Sequence, residues 1–478
     1  MICWRTYQLV GDWIHRRFTA GQALLAVALA CGAVVRLRRL DAFSITADEG
    51  AAWAAAVQPI GHLLKLQPQL DSGKLALYDL LLHYWILVFG DSLRSMRGLS
   101  AAIDTISILL MFAVIRETHR VFSREGLRTA ELAVGIAALM FAFNVAITQS
   151  ARTARMYSLM SACELAQVWF FIRAQNGEGI LNCLLAAVFL AIAIAANFTG
   201  VFLLVGECMW IGYLLLARWR QWHGAELRVT APAFAIAASI VLLLPFVPAA
   251  SAASRAAIRG GALDWIAYRS PLGWIDHVLG EGIGNKSLYR LFIGLAIFAV
   301  WRLRSKAPLL LRFLALMIAV PFAAVVTLSL LGRPMMVDRY VSLALIMFVG
   351  LAATGAAAFP GKWGRFLVLL LVVWLSVRAL RHSSEFWVDW KSAVNITCAR
   401  SAADATIAVV PAYAVNAVRY HLPPPRRPLA FGLTSQCGDS QVLIINSSHL
   451  ISPAYLRQLR ACYPHLLGQA TRVEVRTH

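Results

Sequence analysis

The stretch that decides the topology is LALYDLLLHYWILVFG, Leu75 to Gly90. It is apolar enough to suggest a membrane span, short for one, and carries Asp79 and His83. At about 1.5 Å per residue such a helix reaches about 24 Å, against a hydrocarbon core of roughly 30 Å. Length leaves the matter open, and charge closes it. Downstream lie the basic segments RETHRVFSREGLR (116–128), RWRQWHGAELR (218–228), WRLRSKAP (301–308) and GKWGR (361–365). If 75–90 crosses, all four fall on the outer side. If it does not, they join the basic N-terminus on the cytoplasmic side, where loop Lys and Arg accumulate. Leu75–Gly90 therefore reads as a juxtamembrane or re-entrant helix.

The rest of the chain agrees with a membrane setting. Of 478 residues, 60% are hydrophobic and 14% charged, the mean hydropathy is +0.67, and apolar runs of about 20 residues recur. This predicts a polytopic all-α membrane protein. Spans fall at roughly 20–36, 97–116, 130–149, 156–173, 180–196, 199–217, 230–250, 287–302, 308–331, 341–359 and 364–380, about 11 in all. The first reads as an uncleaved helix rather than a signal peptide, since Ala28 stands where a lipoprotein site carries a larger aliphatic. The net charge of +20 does not indicate nucleic acid. No tract of five or six like charges exists, and the basic residues sit between apolar segments.

With that count, 37–96 is one long outer loop, and the chain beyond residue 380 also lies outside the cytoplasm. The composition changes there: Pro423–Pro425, shorter apolar runs and more polar residues mark a small soluble domain over 381–478, after a transmembrane domain over 1–380. ATIAVV and QVLIIN read as buried strands, AYAVNAVRYHL and SPAYLRQLRACY as helices, so this domain is α/β. Three cysteines, Cys398, Cys437 and Cys462, leave room for one disulfide in an oxidising compartment, Cys437–Cys462 first among the pairings.

Within the outer loop stands ITADEGAAWAAA (45–56), with adjacent Asp48 and Glu49. Ionisable groups at membrane depth are costly and are functional candidates by default, although acids in a first helical turn also serve as caps. The same face collects Asp71 and Lys74, then QSARTARMY (149–157) with Arg155 and Tyr157, and GRPMMVDRY (332–340) with Arg339 and Tyr340. A carboxylate among cations at an outer membrane face suits transfer of a sugar from a polyprenyl phosphate. The acceptor hydroxyl needs a base and the phosphate leaving group needs cations. Partial desolvation there would raise a carboxyl pKa and make it a better base. A monophosphate leaving group can be handled by Lys and Arg. No His/Cys/Asp cluster has ligand spacing, so a divalent metal stays open without support.

RLRRLDAFSITADEGAAW, DSGKLALYDLLLHYWILVFGDSLRSMRGLSAA and QSARTARMYSLMSA resemble the GT-C membrane glycosyltransferases, above all family 39-like enzymes such as the protein O-mannosyltransferases and the lipid A aminoarabinose transferase. DRYVSLALIMFVG and DWKSAV…VVPAYAVNAVRYHL resemble later parts of bacterial members. The resemblance implies a first outer loop of juxtamembrane helices carrying the catalytic acid. Carried over, Asp48 matches that catalytic carboxylate and Glu49 its companion. Lys74, Arg155, Tyr157 and Arg339 fall to the donor phosphate, and Asp71, Tyr78, His83, Arg97 and Tyr340 to substrate contacts. Two departures stand out. Leu75 replaces the Pro that follows the matching Lys, and Tyr157 stands where many relatives have a second Asp. The expectation is an inverting glycosyltransferase of the bacterial inner membrane with an extracytoplasmic active site. Its partners would be a polyprenyl-phosphate sugar, membrane lipids and a lipid, lipid A, glycan or protein acceptor. A transporter of lipid-linked substrates predicts internal repeats and broken mid-membrane helices, which the sequence does not show. A third reading is a transferase of another class acting on lipid-linked substrates, such as an acyl- or phosphotransferase, or an O-antigen-ligase-like enzyme, which would take a diphosphate-linked donor and would not need the Asp-Glu pair.

Overall fold

The computed structural model describes residues 19–123, 127–220, 228–259, 266, 268–332, 335–382, 388–402, 405–423, 430–432, 442–446 and 453–477. The first helix, α1 (Ala20–Leu37), starts at Thr19, whose side chain and that of Gln22 form a reciprocal capping box. Three short helices follow: α2 (Ala47–Ala56), α3 (Ile60–Leu70) and α4 (Leu77–Phe89). The decisive stretch is thus a 13-residue helix, about 20 Å long and too short to cross. It buries Tyr78, Asp79 and Leu82 and leaves Leu81, Tyr84, Leu87, Val88 and Phe89 exposed, a division suited to lying along a membrane surface.

Next come α5 (Leu93–Phe122), α6 (Leu127–Ala142), α7 (Val145–Ala151), α8 (Tyr157–Gln175), α9 (Ile180–Ala196), α10 (Val201–Trp219), α11 (Thr230–Leu243) and α12 (Val247–Arg259). They are followed by α13 (Pro271–Ile283), α14 (Lys286–Leu303), α15 (Pro308–Leu331), α16 (Ser342–Ala357) and α17 (Lys362–His382). Helices stand at all eleven expected span positions. Seven are long and apolar enough to cross on their own, and nine if two bent pairs each count as one span. Of the remaining two, α9 is apolar but 17 residues long, and α8 carries Glu164, Gln167 and Arg173. The core of the bundle is α16, every residue of which from Leu343 to Ala357 is buried.

Several buried polar groups inside the bundle are paired, which offsets the cost of placing them in a low dielectric. Gln167 donates to Glu207 at 2.5 Å and Ser342 to Glu164 at 3.1 Å. The pair that shapes the site is Arg36–Asp104, 2.5 Å apart and fully buried. Arg36 also donates to the carbonyl of Ala142 at 2.7 Å, the last residue of α6. There the chain breaks, Asn144 caps α7 by accepting from the Ile147 N–H at 3.0 Å, and α7 leaves at 58° to α6. The freed carbonyl is satisfied by Arg36, so a broken helix is tolerated at this depth.

The C-terminal part has helices α18 (Trp390–Arg400), α19 (Val415–His421) and α20 (Pro453–Cys462), and strands β1 (Ile407–Val410), β2 (Ala430–Gly432), β3 (Val442–Asn446), β4 (His465–Ala470) and β5 (Val473–Thr477). The sheet order is β2-β1-β3-β5-β4. β1 is parallel to both β2 and β3, while β5 is antiparallel to both β3 and β4. The expected strands are β1 and β3, both buried apolar runs. β4 and β5 are not among the expected strands, although the alternation in VEVRT is itself a half-buried-strand pattern. Cys462 is disulfide-bonded; Cys437, its expected partner, lies outside the described residues.

Candidate active site

The site is organised by ITADEG. Thr46 caps α2: its hydroxyl accepts from the Glu49 N–H at 3.1 Å, and the Glu49 carboxylate accepts from the Thr46 N–H at 2.8 Å. That capping box places Glu49 under the helix, fully buried. There both its oxygens meet the Arg97 guanidinium at 2.8 Å, and one accepts the Ala154 N–H at 2.8 Å. Arg97 spends its remaining donors on the carbonyls of Leu40, Phe43 and Ser44. Glu49 and Arg97 therefore tie three segments together, and neither lines the cavity beside Asp48.

Asp48, one residue earlier and about 100° around the helix, points the other way. Its side chain is 54% exposed, more open than the partial desolvation expected from sequence. It lines a cavity of about 930 Å³ with Arg155, Tyr157, Asp338 and Arg339 on its flank, a volume near the top of the range of roughly 300–1,000 Å³ for small-molecule sites. Arg155 donates to the Asp48 carbonyl at 3.2 Å, stands 3.8 Å from its carboxylate, and pairs with Asp71 at 2.8 Å. Tyr157 lies between two cations, with the guanidinium carbons of Arg155 and Arg339 at 5.8 and 5.6 Å from its ring centre. Arg339 also lies over the Tyr340 ring at 5.9 Å. Cation–π contacts of this kind help fix where these guanidiniums sit on the cavity wall.

The other sequence candidates form the layer behind this wall. Lys74 was expected to meet a phosphate directly. It is 2% exposed instead, donating to both oxygens of Asp79 at 2.8 and 2.7 Å. Burial of Asp79 raises its pKa, against the pull of Lys74. For Asp71, burial acts upward as well, but Arg155 and Lys74 outweigh it and hold the carboxyl below its ordinary value. Tyr78 is buried with its hydroxyl 2.8 Å from that of Ser100. His83 turns its Nδ1 to the Ala56 carbonyl at 2.7 Å. Of the eleven candidates, Asp48, Arg155, Tyr157 and Arg339 line the cavity.

The sequence reading missed several lining residues. Lys286 and Arg378 add cations, Glu281 an acid, and Val388, Trp390 and Tyr413 close the cavity from the C-terminal part. Gly284, at φ 118°, takes the left-handed conformation after α13 and fits against Val145 and Ala379, where a side chain would collide. Among the described residues no group of three or more His, Cys, Asp or Glu could hold a metal ion.

The C-terminal part is seated on α2 itself. A Cβ at Gly50 would fall 2.6 Å from the Ala417 nitrogen and 2.8 Å from the Asn416 carbonyl carbon. Only glycine lets α19 approach so closely. Gly50→Val is expected to push α19 off α2 at a cost of about 1–3 kcal/mol, seen as faster limited proteolysis of the C-terminal part; unchanged proteolysis would contradict this seating. Around the glycine, Trp53 packs edge-on against Tyr420 with centroids 5.3 Å apart, and Ser44 Oγ lies 2.9 Å from His421 Nε2.

Burial, with Lys391 adding to it, lowers the His421 pKa to about 4. In the unfolded chain the ring titrates near about 6.5. Between these values the unfolded state binds the extra proton, so this junction loses stability as pH falls from about 6.5 to about 4. Thermal unfolding scanned over that window should show the decline, and His421→Asn should flatten it. A wild-type profile that is already flat would refute it.

No protein-family model matches the sequence, and no curated protein matches it. Solved structures do. ArnT from Cupriavidus metallidurans bound to undecaprenyl phosphate is similar over 95% of this chain and 97% of its own, at 12% identity and a TM-score of 0.57. Archaeal oligosaccharyltransferase AglB from Archaeoglobus fulgidus, in complex with an inhibitory peptide and a dolichol-phosphate, is similar over 91% of this chain and 70% of its own, at 8% identity and a TM-score of 0.56. Both are GT-C membrane glycosyltransferases. This chain has the GT-C fold. Identities this low make it a likeness of fold, and on that level the resemblance read from the sequence is borne out. As a GT-C chain with seven to nine apolar spans it is a multi-pass membrane protein.

Proposed function

We propose that this protein is an integral membrane glycosyltransferase that moves a sugar from a polyprenyl-phosphate donor to an extracytoplasmic hydroxyl, with inversion at the anomeric carbon. The observation that carries the reading is Asp48, exposed on the cavity wall within 3.8 Å of Arg155, with Arg339 stacked across the shared Tyr157 ring. Support also comes from the ligands of the two GT-C neighbours, undecaprenyl phosphate and a dolichol-phosphate.

In this mechanism Asp48 accepts the proton of the acceptor hydroxyl as its oxygen attacks the anomeric carbon. The bond to the phosphate oxygen breaks on the opposite face, and the lipid monophosphate leaves with the bonding pair. Arg155 and Arg339 stabilise the charge that develops on it. Asp71 and Tyr157 orient the two guanidiniums. Glu49, Arg97, Lys74 and Asp79 position the wall from behind and do not touch substrate. Asp338 and Glu281 share the cavity, but neither lies on α2 beside Arg155.

The test is incubation of the purified chain with labelled polyprenyl-phosphate sugars and a panel of lipid, glycan and peptide acceptors. Transfer with release of polyprenyl phosphate supports the reading. Failure with every donor, or transfer from a diphosphate-linked donor alone, would overturn it.

The same reading puts the cavity and the C-terminal part on the outer face of a bacterial inner membrane, because the four basic segments then stay inside. A reporter fused at residue 122 should therefore signal the cytoplasm; an outer-face signal would reverse the orientation.

A further inference from the structure

The cavity wall contributed by the C-terminal part differs in character from the rest. Of its members, Trp390 is 2% exposed, whereas Tyr413 is 56% exposed with its ring in the open. Large apolar surfaces left bare inside a cavity mark ligand contacts. Tyr413 is also held rigidly. It sits in the turn Ala412–Ala414 directly after Pro411 and β1, whose four residues are all buried, and the turn runs straight into α19. The backbone of α19 is locked against Gly50, two residues from Asp48. The Tyr413 hydroxyl makes no hydrogen bond among the described residues. Its pKa is raised by burial and by the negative charge of Asp48, which places the two groups within each other's field.

A rigid aromatic ring beside a carboxylate fits a ligand with one C–H face and a rim of hydroxyls. A sugar ring has both: its axial C–H groups pack on the aromatic face and its hydroxyls reach the acid. A peptide hydroxyl could use Asp48 but would leave the ring bare. A lipid chain would favour the wall of Val145, Leu375 and Ala379 at the bundle end of the cavity.

We propose that the acceptor is a carbohydrate whose ring packs on Tyr413 and presents a hydroxyl to Asp48, so that the C-terminal part selects the acceptor. This rests on the glycosyltransferase reading and names the acceptor class for that site.

The experiment is saturation-transfer NMR on the full chain in detergent, with methyl glycosides of hexoses, N-acetylhexosamines and pentoses, beside an acetylated Ser/Thr tripeptide amide. At least one glycoside is expected to receive saturation at its ring C–H protons. Tyr413→Ala should weaken that signal about tenfold, while Tyr413→Phe keeps it within about twofold, because the ring face carries the contact. An equal signal in Tyr413→Ala, an equal loss in Tyr413→Phe, no glycoside signal at all, or signal from the peptide alone would each overturn the proposal. The readout needs no turnover, so the two readings fail separately. A Tyr413-dependent glycoside signal without transfer from any donor sinks the glycosyltransferase reading only. Transfer with an unchanged acceptor KM in Tyr413→Ala sinks this one only.

Discussion

Asp48→Asn is expected to lower sugar transfer by about a thousandfold, within the 10²–10⁴ range of a lost general base, and to leave the thermal stability of the protein unchanged. The variant keeps the shape of the side chain and the backbone carbonyl to which Arg155 donates, so the cation framework stays in place. Stability is spared because the carboxylate is half exposed and 3.8 Å from its partner, and such pairs contribute little to folding. The measurement is transfer from a labelled polyprenyl-phosphate sugar, followed in parallel with a thermal melt in detergent. Transfer at the wild-type rate would remove Asp48 from the chemistry and turn attention to Asp338 and Glu281 on the same cavity.

The neighbouring acid gives the opposite result. Glu49→Ala is expected to cost stability first, by about 3–5 kcal/mol, because it leaves the Arg97 charge buried without its counter-ion. Arg97 is 1% exposed and donates two of its hydrogen bonds to Glu49 at 2.8 Å. The substitution also strands the N–H groups of Thr46 and Ala154, each a further loss. Arg97→Lys in the presence of Glu49 is also expected to destabilise, since one ammonium cannot reproduce the two-pronged contact. Glu49→Leu combined with Arg97→Leu should recover part of the loss, since no lone charge is then left buried. The readout is the melting temperature of the purified protein. A Glu49→Ala variant that melts with wild type would show that the buried pair does not hold the first loop to α5.

The contrast between two adjacent carboxylates shows how far pattern alone reaches. Thr46, Asp48 and Glu49 spell a helix start in any context, and the capping box is there. Their chemical types do not say which acid faces the cavity. That is decided by where Arg97 arrives, from the first turns of a helix 48 residues away in sequence. Lys74 is turned away from the cavity for a similar reason. Asp79 sits five residues on, on the first turn of α4, and the fold turns the two toward each other in a buried pair. Arg155, Tyr157 and Arg339 are placed by sequence on the same outer face as Asp48, but the ring shared by both guanidiniums is a tertiary arrangement.

The sequence by itself determined the membrane class, the helix at each span position, the non-crossing Leu77–Phe89 and the two buried strands Ile407–Val410 and Val442–Asn446. These follow from hydrophobic length, period and the sign of loop charge, which act locally along the chain. Tertiary structure alone decided the break between Ala142 and Val145, stabilised by Arg36 from another helix, and the cavity contributions of Lys286, Arg378 and Tyr413. It also decided the meaning of Gly50, which looks like a weak spot in a helix and is the point where the C-terminal part touches the loop bearing Asp48. Such contacts join residues hundreds of positions apart, and their energy depends on distance in space, which no local pattern encodes.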